Sequence, residues 1–139
     1  MQTQMHKELE QKLVERWPRW FNTGGDIRHT AMPDGFTHDD GWFNILWRLC
    51  EDLEPLVAKL EQETGQQFEV LQVKEKFGGL RFYVNFRRDE AIRQRIGIAA
   101  DESFHTCEVC REPGTLREDS WIKTLCDFHA SEGREKNHG

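Results

Sequence analysis

Cys107, Cys110, Cys126 and His129 are spaced as Cys-x2-Cys, fifteen residues, then Cys-x2-His. Two close pairs of soft donors joined by a short span suit a tetrahedral zinc ion. With four protein ligands no position is left open for water, so one structural Zn2+ is expected rather than a catalytic one. His105 sits too close to Cys107 to share the site. His6, His29, His38 and His138 have no partners at ligand spacing. Cys50, far from the cluster in an apolar stretch, is expected to be a small buried hydrophobe.

The other residues with chemical capacity are His38, Asp39 and Asp40. They could hold a metal or act as acid and base. Equally, Thr37, Asp39 or Asp40 can cap the helix that follows, which accounts for the acids without chemistry. No catalytic constellation emerges, and the chain is not expected to be an enzyme. A treble-clef nuclease would need a histidine base and a second metal beside the structural ion. His129 is already a ligand, and His138 lies in a polar tail.

The elements that must position the cluster follow from periodicity. Cys107 to Cys110, with Pro113-Gly114, reads as a knuckle. Thr115–Arg117 and Trp121–Leu125 can pair as a short hairpin, and Cys126 opens a short helix whose first turn carries two ligands. Knuckle, hairpin and helix describe a treble-clef-like module. Its apolar residues, Val109, Leu116, Trp121, Ile122, Leu125 and Phe128, are too few to fold alone, so the ion should supply most of the local stability.

Upstream, His6–Trp17 reads as a helix stopped by Pro18, with Trp17, Trp20 and Phe21 as an aromatic knot on the core. Residues 22–34 read as a loop. Trp42–Thr64 has the strongest helical period, in which Trp42, Leu46, Leu49, Leu53, Leu56 and Leu60 form a core stripe. Pro55 is expected to kink or split this helix, and Gly65 to end it. Phe68–Phe86 reads as a β-hairpin turning at Gly78-Gly79. That register sets Glu75 opposite Phe82 and Val73 opposite Val84 on an apolar face, where Glu75 needs a partner such as an arginine, or a place at the sheet edge. The other face carries Lys74, Lys76, Arg81 and Tyr83, the candidate partner-binding patch. Asp89 should cap a last helix running to Phe104, with Gly97 weakening it or permitting close packing. The expected class is α+β: helices on a β-hairpin or small antiparallel sheet over 1–104, and a zinc module over 105–139, packed as one unit. The tail from Ser131 is expected to fray.

The 139 residues are 37% hydrophobic and 32% charged, but five Trp and nine Phe supply a core. No apolar run could span a bilayer, and the polar start lacks a signal segment, so a cytoplasmic protein is expected. In a reducing compartment clustered cysteines bind metal rather than pair. The net charge of −6 argues against coating of DNA, yet residues 72–98 hold seven bases and three acids.

The stretch Gln72–Tyr83, with its Lys-Glu-Lys-Phe-Gly-Gly-Leu-Arg-Phe core, resembles uncharacterised small proteins of bacteria and their phages and prophages. The similarity extends to Asp40-Gly-Trp42, to Pro113-Gly114 and Trp121, and to the cysteine–histidine cluster. Arg111 departs from the pattern, since glycine is more usual after the second cysteine. The resemblance implies a phage-associated setting and no particular reaction. Two functions are expected from this reading. The first is a regulator or inhibitor that grips a protein partner; the second is a nucleic-acid-binding zinc protein using residues 72–95.

Overall fold

The computed structural model describes residues 4–22, 32–119 and 121–138. It is an α+β arrangement of helices on two small sheets. Helix α1 spans Lys7–Arg16 and turns Leu13 fully inward; its chain then folds back through Pro18. Trp17, Trp20 and Phe21 are buried, with the Trp17 and Trp20 rings stacked 6.0 Å apart. Most of the expected loop at 22–34 lies outside the described residues; Met32–Asp34 form a 3-10 turn at its end.

Helix α2, Phe43–Thr64, buries Ile45, Leu46, Leu49, Leu53 and Val57, together with Cys50. Its stop is Gly65, whose φ of 70° is open to glycine and whose amide bonds the Glu61 carbonyl. Pro55 does not split the helix. Pro55 and Glu51 both lie on the exposed side, so the carbonyl that loses its partner can turn to water.

The main sheet corrects the expectation of a purely antiparallel one. Strands β2 (Val70–Lys76) and β3 (Gly79–Val84) form the hairpin, but β1 (Phe36–Thr37) adds to β2 in parallel. The hairpin turn also differs. Phe77 and Gly78 occupy it, with φ of 54° and 85°, so the glycine pair is not the turn. Glu75 therefore faces Leu80, and Val73 faces Phe82. From Gln72 to Lys76 each partner has moved by two residues, which leaves those side chains on their expected faces; an irregularity between Val70 and Gln72 then sets Val70 opposite Val84. Val73, Leu80, Phe82 and Val84 are buried against the helices.

Helix α3 spans Glu90–Ser103. The Asp89 carboxylate caps it, accepting the Ile92 amide at 3.0 Å. Gly97 makes no close approach: a Cβ there would meet nothing within 4 Å. Its backbone is not in the left-handed region, so Gly97→Ala should raise stability by about 0.5–1 kcal/mol, read as a higher denaturant midpoint. An unchanged or lower midpoint would contradict that reading of α3.

The C-terminal segment pairs β4 (Thr115–Glu118) with β5 (Ile122–Leu125) and ends in α4 (Asp127–His138). Helix α4 thus continues well past Ser131, where the tail was expected to fray.

Candidate metal centre

Cys107 and Cys110 lie in the turn before β4, Cys126 directly after β5, and His129 in the first turn of α4. The turn is closed by the Arg111 amide bonding the Cys107 carbonyl and by the Cys107 amide bonding Glu112. Arg111 holds a φ of 76°, the left-handed conformation that glycine adopts most easily.

The four donor atoms all lie within 4.8 Å of one another, and the group could hold a metal ion. The Cys110 and Cys126 sulfurs are 3.7 Å apart, and His129 Nδ1 is 3.2 Å from Cys126 Sγ and 3.7 Å from Cys107 Sγ. A tetrahedron with zinc-like bond lengths has edges of about 3.8 Å between sulfurs and about 3.6 Å from sulfur to nitrogen. The donor set therefore fits such an ion, with Nδ1 as the histidine donor. His129 Nε2 points toward Glu132, 3.9 Å away, which steadies the ring from outside. Cys126 stands just before α4 and its sulfur accepts the His129 amide at 3.5 Å; that contact holds its thiol down to about 7. Burial pushes the Cys110 thiol up to about 11, so metal binding must displace a proton there.

Around the cluster the N-terminal elements and the C-terminal segment interlock. The Gly41 amide donates to the Glu108 carbonyl at 2.6 Å, inside the Cys-x2-Cys turn. A Cβ at Gly41 would overlap the Cys107 and Glu108 carbonyls, so a side chain there would force the two segments apart. Trp42 is fully buried and its indole donates to the Thr106 carbonyl at 3.0 Å. The hairpin tip docks in the same way. Thr124 Oγ1 donates to the Gly78 carbonyl at 2.6 Å, and Leu116 packs over Gly78. The Phe104 ring covers Gly79 so closely that a Cβ would strike it. The glycine pair thus serves close approach as much as turning.

Glu75 has its counter-ion, a lysine rather than an arginine. Lys123 Nζ sits 2.9 Å from Glu75 and 3.4 Å from Glu108, whose side chain is 2% exposed. The two carboxylates raise the Lys123 pKa, against the burial that lowers it. Glu75 also accepts the Gly78 amide at 2.7 Å, and Glu108 accepts the Asp39 amide at 2.9 Å. Sequence reasoning missed Lys123 and Glu108. The signal was available: an acid on an apolar strand face demands a cation from whatever packs on it.

His38, Asp39 and Asp40 are adjacent in sequence, but the structure aims them at different partners. Asp39 caps the 3-10 turn Asp40–Trp42 rather than α2 itself, which starts without a side-chain cap. Asp40 accepts the His6 amide at 2.8 Å and pairs with the His6 ring. His38 is fully buried between Phe36 and Trp42; its Nδ1 donates to the Asp39 carbonyl at 2.7 Å, and Nε2 has no partner among the described residues. Burial drives its imidazole down to about 4. Below about 6.5 the unfolded chain takes up a proton here that the folded chain refuses until about 4. Stability should therefore fall as pH drops through this window, by about 3 kcal/mol at its lower end. Urea titrations at pH 7 and 4.5 should show a larger loss for the wild type than for His38→Leu; equal losses would remove the assignment.

Of the candidate patch, Lys74 and Arg81 pair across the strands, Tyr83 follows opposite Gln72, and Lys76 closes the turn. All four lie on the face away from α2 and α3. The class of object is an α+β domain interlocked with a hairpin and helix whose four donors could hold a metal ion. Comparison with protein-family models, with curated proteins and with solved structures gave no match. No helix among the described residues is long and apolar enough to cross a membrane.

Proposed function

We propose that this chain is a non-catalytic, cytoplasmic binding protein built on one structural zinc ion. Three thiolates and an imidazole suit zinc, and four filled positions leave no site for a reactive water. Knuckle, hairpin and ligand-bearing helix correspond to a treble-clef arrangement. The observation that carries the functional reading is the docking of the hairpin tip on the metal-bearing segment. Gly78, Gly79 and Glu75 are all engaged by that segment or by Phe104 at its edge. The hairpin is thereby held rigid, and its opposite face, Lys74, Lys76, Arg81 and Tyr83, is left to meet a partner. Such a face suits a macromolecule with negative charge, which the protein would bind as a regulator or inhibitor. The resemblance at the hairpin and cluster supports a phage or prophage setting for this role.

The test compares the wild type with Lys74→Glu/Arg81→Glu as bait in host lysate, after both are shown to carry one zinc per chain and to melt alike. The wild type should retain at least one component that the charge-reversed protein loses. Identical captured sets would sink the assignment of this face.

A further inference from the structure

Three features of the outer hairpin face oppose stability. Lys74 and Arg81 stand directly opposite each other, a like-charge cross-strand pair that is unfavourable. Arg81 is half buried, and its Nε lacks any hydrogen-bond partner among the described residues. Phe77 adopts a left-handed backbone, costly for a bulky side chain, and leaves its ring 61% exposed. Among the described residues the other half-buried cations, Arg95, Arg117 and Lys123, each meet a carboxylate; Lys74 and Arg81 do not. Local rules broken together on one face mark a surface kept for a ligand.

The order of groups along the face identifies the ligand. Tyr83, 41% exposed, lies toward one end with the Lys74 ammonium 5.8 Å from its ring centre. Arg81 and Lys74 come next. Phe77 stands at the tip, with the Lys76 ammonium 5.6 Å from its ring centre. Ring, cations and ring thus follow one another over about five residues, or about 15 Å at strand rise. Rings interleaved with cations match a polymer of flat bases and phosphates. We infer that the outer face of the β2–β3 hairpin binds single-stranded nucleic acid, stacking bases on Tyr83 and Phe77 and pairing phosphates with Lys74, Lys76 and Arg81. The length admits roughly four stacked nucleotides. The local excess of base over acid at 72–98 lies within a chain of net −6, which disfavours a long duplex. This inference rests on the outer face being the binding surface, as proposed above, and gives the partner its chemistry.

Fluorescence anisotropy of the zinc-loaded protein with labelled oligo(dT) and oligo(rU) tests it. Both strands should bind, and a duplex of equal length more weakly. Three phosphate contacts predict a fall of about twentyfold in affinity between 50 and 200 mM salt. Phe77→Asn keeps a residue that tolerates the turn, and Tyr83→Thr keeps a strand former; each should weaken binding about fivefold or more. Lys74→Glu/Arg81→Glu should abolish it. No anisotropy change, or binding that none of these variants alters, overturns the inference. If oligonucleotides do not bind while lysate capture of an acidic protein still depends on Lys74 and Arg81, the face is a protein-binding one: the inference falls and the proposed function stands. If neither oligonucleotide binding nor capture depends on those residues, both fall.

Discussion

Withdrawal by a strong chelator of the ion proposed for the cluster, or Cys107→Ser, should unfold residues 105–138 and loosen the hairpin tip that rests on them. Among the described residues of that segment the buried apolar side chains are only Cys107 and Ala130. Leu116, Trp121 and Phe128 are exposed by 38%, 59% and 65%. Such a segment has no core of its own, and a structural zinc contributes on the order of 10 kcal/mol at neutral pH. The melting temperature should fall by more than about 10 °C. Hydrogen exchange should accelerate both at β4–β5 and at Gly78 and Leu80 of the hairpin. Metal affinity should also weaken on acidification, because protons compete for the thiolates and the imidazole. Melting that ignores the chelator, in protein proven metal-free, would refute the assignment of the cluster as the stabilising centre.

Lys123→Met comes second in size. It deprives Glu75 and Glu108 of an ammonium that lies 17% exposed between them. Breaking a largely buried ion pair from one side costs about 3–5 kcal/mol. Much of that is the burden of the remaining charges, so Lys123→Met combined with Glu75→Gln and Glu108→Gln should recover most of it. Thermal unfolding of the single and triple variants decides the matter. A single variant within about 0.5 kcal/mol of the wild type would show that the ammonium matters little.

The donor cluster and the helices were legible because their signals are local. Four ligands at fixed spacing, the Leu46–Leu60 stripe and the Asp89 cap are each read within one continuous stretch of chain. What escaped depends on contacts between distant segments. Strand β1 is two residues long and exists because β2 offers it an edge. The hairpin register moved by two because Phe77 accepts a left-handed backbone, freeing Gly79 to lie under Phe104. Propensity puts two glycines in the turn, whereas packing needs one of them in the strand. The Lys123 bridge was half visible, since Glu75 on an apolar face required a partner, yet nothing local pointed to a residue 48 positions away. Pro55 misled for the opposite reason: its effect depends on which side of α2 faces water.

The seam between Gly41 and the Cys107–Glu108 peptide is made of main chain on both sides. Apart from Glu108, whose carboxylate accepts the Asp39 amide, side-chain identity inside the knuckle therefore has little say over that junction, and drift at the other non-ligand positions should be tolerated. At position 41 the reverse holds, because the gain of a single methyl group would wedge the metal-bearing segment off the body. Natural variation should accordingly be wide at Val109 and absent at Gly41, and a randomised library selected for folding should recover that contrast.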